Sequence, residues 1–338
     1  HDKNKFEIIG ISFGPDKDDK MRKRVSNAFD EFYDLRLKTE DEIVKFSREL
    51  KIDIAIDLMC FTKYHKFGIF VKRCAPIQVN YLGYPGTSGT NYLDYIIADK
   101  IIIPKESQKY YSEKIVYLPD TYQANDSTKK ISDKIFTREE LGLPKDGFIF
   151  CCFNNNYKIT PQVFDVWMRL LERVENSVLW ILSENINISK NLKKEATLRG
   201  IDFNRIVFAE RIKMNEHLAR QKVADLFIDT FPYTGHTTAS DALWVGLPVL
   251  TRIGKSFASR VSASLLNAIG LSALATNSEK EYEDLAIELA TNSAKLEEIK
   301  NKLKNNRNTK PLFNTQVFAR NIEKAYSLMY ERYLKNLP

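Results

Sequence analysis

Cysteine is scarce in this sequence. There are four, Cys60, Cys74, Cys151 and Cys152, and none is spaced as C-x-x-C. The adjacent pair lies in an apolar, strand-like run, so reduced and buried thiols are expected rather than a disulfide framework. Histidine is equally scarce, and no His, Cys and carboxylate cluster has structural-zinc spacing. No metal is expected. The acidic pair in Asp16-Lys17-Asp18 sits among further charges and reads as a solvated turn. No apolar run approaches the roughly 20 residues that a bilayer-spanning helix needs. The opening His1-Asp2-Lys3-Asn4-Lys5 has neither an initiator Met nor the apolar stretch of a signal peptide. The chain therefore reads as a cytoplasmic piece of something longer. No internal repeat is visible.

What is present is ordinary for a globular protein. The chain has 338 residues, 43% hydrophobic and 28% charged, enough for one large or two medium domains. The net charge of +7 permits nucleic acid, a membrane surface or an anionic substrate as partner. Its Lys residues are dispersed among acids, which suits a solvated surface, so neither nucleic acid nor membrane is expected.

Strand-like and helix-like segments alternate. Phe6 to Phe13, Ile52 to Leu58, Pro76 to Leu82 and Leu93 to Ala98 read as strands, with helical patterns at Lys20 to Phe29, Glu40 to Leu50 and Lys66 to Cys74. The polar stretch 123–134 reads as a linker between a first domain, 1–122, and a second, 135–310, with a C-terminal helix in 311–338. The second domain repeats the alternation. Its strands are expected at Phe148 to Phe153, Val178 to Leu182, Arg205 to Ala209, Val223 to Ile228 and Pro248 to Thr251. Its helices are expected at Thr160 to Val174, Ser189 to Arg199, Asn215 to Val223 and Ala258 to Ile269, and from Glu279 to near the end. This is an α/β pattern of two doubly wound, Rossmann-like domains, whose ligands bind beyond the carboxyl ends of the strands.

One stretch organises the rest: Asp229-Thr230-Phe231-Pro232-Tyr233-Thr234-Gly235-His236-Thr237-Thr238, running on to Trp244. A buried strand precedes it, Pro and Gly make a loop, and after His236 the spacing turns helical, with Ala239, Ala242 and Leu243 on one face. The first helical N–H groups have no intrahelical partner, and the helix dipole there favours an anion. Asp241 lies one turn on, placed to accept from a sugar hydroxyl. The other reading is an ordinary helix cap with a satisfied histidine. Lys158, in a loop after the strand ending at Phe153, is a mobile point charge suited to a phosphate, or else a surface lysine. Asn215 is placed to cap the helix that carries His217 and Arg220, which face the same way. Together these loops suit a nucleoside diphosphate. Gly254-Lys255-Ser256 imitates the end of a phosphate-binding loop, but Val249 stands where the first Gly belongs.

The run Ala75-Pro76-Ile77-Gln78-Val79-Asn80-Tyr81-Leu82-Gly83-Tyr84-Pro85-Gly86-Thr87-Ser88-Gly89 resembles a signature of the O-linked N-acetylglucosamine (O-GlcNAc) transferase catalytic region. So do Phe153 to Lys158, Asp229 to Asp241 and Ala258-Ser259-Arg260-Val261, and the likeness covers nearly the whole chain. The resemblance implies GT-B architecture, two Rossmann-like domains with a cleft between them, the first incomplete at its N-terminus. It implies transfer of a sugar, N-acetylglucosamine from UDP-GlcNAc, to Ser or Thr of protein or peptide acceptors, with inversion, without metal and without a cofactor, the UDP-sugar being a co-substrate. By position, Lys158 would neutralise the diphosphate, His236, Thr237 and Thr238 would hold the phosphates, Asp241 the ribose, and His217 and Arg220 the uridine. Asn155 stands where members often have a longer Gln, and Met214 where an animal-type member has Lys. Gly83, Pro85, Gly86 and Thr87 would line the cleft from the first domain. The family's His-Pro loop and its tetratricopeptide repeats are expected upstream of His1. The short linker is as in bacterial members.

Two other readings stay open at this stage. One is a related transferase with another nucleotide sugar. Against it, the plant-type members that use GDP-fucose lack the His of the Gly-His-Thr-Thr run, which is present here. The other is a non-catalytic nucleotide-sugar-binding scaffold.

Overall fold

The computed structural model describes every residue except Asp18, Glu184 and Pro338, so part of the charged loop at Asp16 lies outside the described residues. Two compact units emerge, 1–122 with 316–338, and 123–315.

The first unit begins with β1 (Ile9–Ser12), α1 (Lys20–Ser26) and β2 (Glu31–Asp34), the two strands pairing in parallel. Next comes α2 (Glu40–Glu49), started by Thr39. The Thr39 hydroxyl accepts from the Glu42 N–H while the Glu42 carboxylate accepts from the Thr39 N–H, the reciprocal cap that closes a helix start. Then follow β3 (Ile54–Asp57), α3 (Gly68–Val71), β4 (Ile77–Asn80), β5 (Tyr95–Ala98) and β6 (Lys114–Tyr117), an all-parallel sheet in the order β3-β4-β5-β6. Ile43 and Val44 of α2 pack with Ile69, Phe70, Cys74 and Leu93 beside it. The sequence pattern missed β2 and β6. Both are four-residue strands with no fully buried side chain, so neither carries a long apolar run to betray it.

The second unit runs β7 (Ile149–Cys152), α4 (Pro161–Arg173), β8 (Val178–Leu182), α5 (Ile186–Leu198), β9 (Ile206–Ala209), α6 (Met214–Arg220), β10 (Leu226–Ile228), α7 (Thr237–Val245), β11 (Val249–Arg252), α8 (Val261–Ala268), β12 (Ala275–Thr276), α9 (Glu279–Thr291) and α10 (Ser293–Thr309). Strands β7 and β8 are buried at every residue, as expected of a parallel sheet covered on both faces. The strand order is β12-β11-β10-β7-β8-β9, all parallel. Read from β9, this is the doubly wound order 3-2-1-4-5-6, and it reverses between β7 and β10. Helix α5 starts three residues before the expected Ser189, because the Asn185 side chain caps it. Thr160 caps α4 with Pro161 at its first position, as the sequence indicates.

The last helix, α11 (Thr315–Leu334), belongs to the first unit from Gln316 on. It buries Ile322, Ala325 and Met329, its Asn321 donates to Asp120 at 3.3 Å, and Glu323 accepts from the Asp2 N–H at 2.8 Å. Segment 123–134 has no helix or strand and is counted with the second unit. All four cysteines are buried and free.

Candidate functional site

The strand-order reversal puts the ends of β7 and β10 side by side, and the loops that follow them hold the candidate residues. The network starts at Asp229, fully buried at the end of β10. Its carboxylate accepts from the Thr230 N–H at 2.9 Å, the Gly235 N–H at 2.7 Å, the Thr251 hydroxyl at 2.7 Å and the Asn154 amide at 2.8 Å. Burial pushes the Asp229 pKa up and these donors oppose it. Asn154 also donates to Thr230 Oγ1 at 2.7 Å and accepts from the Thr238 hydroxyl. One carboxylate and one amide thus tie β7, β10 and β11 to the loop that launches α7. Gly235 fits closely there, since a Cβ would stand 3.0 Å from Thr238 Oγ1 and 3.1 Å from Asn154 Oδ1 and would press on both. Sequence reasoning gave Asn154 no role. It is the first of three consecutive asparagines, and only the pairing of β7 with β10 singles it out.

Helix α7 begins at Thr237, with His236 at the cap position and no side chain capping it, so its first N–H groups lack that partner. Thr237 is exposed and Thr238 half-buried. Lys158 reaches the same place: its ammonium donates to the Thr234 carbonyl at 2.8 Å and lies 3.9 Å from the centre of the Tyr233 ring. The sequence suggests a mobile or surface lysine. Instead it is half-buried and fixed by a carbonyl and a ring face. Burial lowers its pKa and the nearby Asp229 carboxylate opposes that. His236 is pushed down to about 4 by burial and by the Lys158 charge, so its imidazole is neutral at pH 7. Its Nε2 lies 3.4 Å from the Ala258 carbonyl. Asn155 caps the short turn Asn156–Lys158 through a 3.4 Å contact from the Tyr157 N–H.

His217 and Arg220 come together on α6, where Arg220 Nε donates to His217 Nδ1 at 3.1 Å. The helix starts after Lys213 without a side-chain cap, so Asn215 lies in its first turn and does not cap it as expected. The Phe153 ring meets the His217 ring edge-on at 4.9 Å, and the Arg220 guanidinium lies 5.7 Å from Phe153 and 5.8 Å from Trp180. Burial lowers His217 to about 4 and Arg220 to about 10. Arg220 Nη2 is buried without a protein partner among the described residues. A buried guanidinium nitrogen with a free donor is costly to leave unmet.

Asp241 sits one turn into α7, nearly buried, and its Oδ1 takes the ammonium of Lys129. Burial pushes the Asp241 pKa up and Lys129 opposes it. Lys129 lies in the segment expected as a polar linker, where nothing in the sequence distinguishes it from its neighbours.

The loop with Gly83, Pro85, Gly86 and Thr87 belongs to the first unit. A Cβ on Gly83 would stand 2.0 Å from the Leu58 carbonyl oxygen, so only glycine fits. Glu113, buried, accepts from the Thr87 hydroxyl at 2.5 Å and the Ser88 N–H at 2.6 Å, while Asn80 donates to the Gly86 carbonyl at 3.1 Å. Burial alone would raise the Glu113 pKa, but these donors win and it lies below its ordinary value. The imitation phosphate loop at Gly254 is folded on itself, its N–H donating to the Ser259 carbonyl at 3.1 Å. Among the described residues no group of three or more His, Cys, Asp or Glu is placed to hold a metal ion, and no helix is long and apolar enough to cross a membrane.

Comparison with known proteins agrees with this fold. The description of glycosyl transferase family 41 matches residues 1–134 and 127–322. The Arabidopsis thaliana protein SEC, a probable UDP-N-acetylglucosamine–peptide N-acetylglucosaminyltransferase, is 36% identical over 336 residues, 98% of this chain but 34% of SEC. The chain thus spans about a third of that relative's length. Among solved structures, an O-GlcNAc transferase mutant from Thermobaculum terrenum superposes with a TM-score of 0.89 at 27% identity, over 99% of this chain and 64% of that one. Anabaena HepE, solved with UDP and glucose, shares the fold with a TM-score of 0.61 at 13% identity, over 95% of this chain and 91% of its own.

Proposed function

The chain belongs to glycosyl transferase family 41, and from that premise we propose that it is the catalytic region of a protein O-glycosyltransferase. The donor is a UDP-sugar, UDP-GlcNAc by its relatives, and the acceptor a Ser or Thr hydroxyl of a protein or peptide. One observation carries the reading: at the β7/β10 reversal, an uncapped helix start, a fixed lysine and a buried arginine with a free donor collect at one sheet edge.

That geometry supports the following roles. The α7 N–H groups and the Thr237 hydroxyl hold the pyrophosphate, and Lys158 neutralises the charge that builds on it as the glycosidic bond to UDP breaks. His236 is neutral and serves as a hydrogen-bonding wall rather than a cation. Asp241 takes a ribose hydroxyl, and His217 with Arg220 faces the uridine. Asn155 lies beside Lys158 on the same turn. The Gly83 to Gly89 loop serves the acceptor side. The acceptor hydroxyl attacks the anomeric carbon directly, with inversion and no metal, and the rate gain comes from fixed charge and positioning.

The test is release of UDP or GDP from a panel of nucleotide sugars with peptide acceptors, using the full-length protein. UDP-GlcNAc should be turned over best. UDP binding with no transfer would make the protein a scaffold, and turnover of GDP-fucose instead would move the donor assignment. Lys158→Ala should lower turnover ~100-fold or more, the scale of one preorganised charge at a developing anion. Unchanged turnover in a folded Lys158→Ala protein would remove Lys158 from the mechanism.

A further inference from the structure

Segment 123–134 is held onto α7 and α6 at several points. The Ser240 hydroxyl donates to Asn125 Oδ1 at 2.6 Å, the Trp244 indole donates to the Lys129 carbonyl at 3.0 Å, and the Ser132 N–H donates to the Asn215 carbonyl at 3.0 Å. The backbone of Lys129 is therefore anchored, and its side chain reaches Asp241 from a fixed base. Asp241 is three residues after Thr238 and four after Thr237, so its carboxylate shares a helix face with the two hydroxyls at the helix start. Its side chain is 6% exposed and that of Lys129 26%. Among the described residues Oδ1 takes the ammonium and Oδ2 takes no protein donor. A nearly buried carboxylate that keeps one free oxygen, one helical turn from a phosphate site, is an acceptor awaiting a hydroxyl.

This inference rests on the reading of α7 as a nucleoside diphosphate site. We propose that Lys129 is a positioning residue for ribose recognition: by holding Oδ1 of Asp241 it aims Oδ2 at a ribose hydroxyl, and so makes the site discriminate ribonucleotides from deoxynucleotides. An ammonium on one oxygen fixes the rotation of the carboxylate plane. Without it, a carboxyl in so enclosed a place takes up a proton or turns toward another donor, and the hydroxyl contact is lost with no change to the phosphate contacts.

The experiment is calorimetric binding of UDP, 2′-deoxy-UDP and 3′-deoxy-UDP to the wild-type chain, Lys129→Met, Lys129→Arg and Asp241→Asn, with a melting curve for each. The wild type should prefer UDP over at least one deoxy form by about tenfold or more, the scale of one hydrogen bond to a charged group. Lys129→Met should lose that preference by weakening UDP toward the deoxy forms, Asp241→Asn should do the same, and Lys129→Arg should keep it. A Lys129→Met protein that melts lower but keeps the wild-type preference would make Lys129 a strap for the segment and overturn the proposal, leaving the nucleotide site standing. No UDP binding by the wild type would overturn the nucleotide reading, and this inference with it.

Discussion

Thr237 and Thr238 are neighbours of the same type, yet the structure gives them different work. The Thr238 hydroxyl is committed to Asn154, inside the network that Asp229 closes. Thr237 is exposed, and its hydroxyl makes no hydrogen bond to the described protein. Removing the hydroxyl from each should therefore separate binding from stability. Thr237→Val should weaken UDP by ~10-fold, one charge-assisted hydrogen bond, with the melting temperature unmoved. Thr238→Val should leave Asn154 Oδ1 buried without its donor and cost ~1–3 kcal/mol of stability. Calorimetric titration and thermal melts on both variants decide it, and equal effects from the two would mean that α7 does not present its N-terminus to the ligand. The sequence showed two hydroxyls at a helix start but not which was free, because that depends on Asn154, which lies on another strand.

Among the elements, the loops after the strands carry the candidate residues and the strands only aim them. The Gly83 loop shows how tightly one is held. Its glycine passes 2.0 Å, measured from the missing Cβ, from the Leu58 carbonyl, and Glu113 and Asn80 clamp the residues that follow. Gly83→Ala must push β3 and this loop apart and should cost ~1–3 kcal/mol, the usual scale of overpacking. Chemical denaturation should show a lower midpoint at unchanged slope, and an unchanged midpoint would mean that the backbone there yields freely. Strands β3, β4 and β5 were legible as apolar runs. Strand β6 was not, and it has no fully buried residue. The start of helix α6 agrees with the expected Asn215 to within a residue, but the helix ends at Arg220, three residues before the expected Val223, and Asn215 does not cap it, because the chain turns into the helix one residue earlier.

On the scale of the molecule, the two units differ in how the chain builds them. The second is contiguous, 123–315, with every strand of its sheet inside that span. The first needs both ends of the chain, since 316–338 packs with 1–122. Deleting 316–338 exposes the surface that covers Ile322, Ala325 and Met329 and removes the Asn321 contact to Asp120. Scanning calorimetry should then show a new low-temperature transition from the first unit, while the second unit melts where it did and still binds UDP. A single lowered transition for the whole chain would show that the units do not unfold separately.

Local pattern alone determined most of the alternation of strands and helices, the loop-to-helix transition at His236, and the family signature through Gly83 to Gly89, because periodicity and turn chemistry are short-range. Tertiary structure decided the rest. It placed β10 beside β7, buried Asp229 among donors from several segments, and brought Lys129 from a polar stretch onto Asp241. Those outcomes depend on strand order and on burial far along the chain, and no local window of residues contains either.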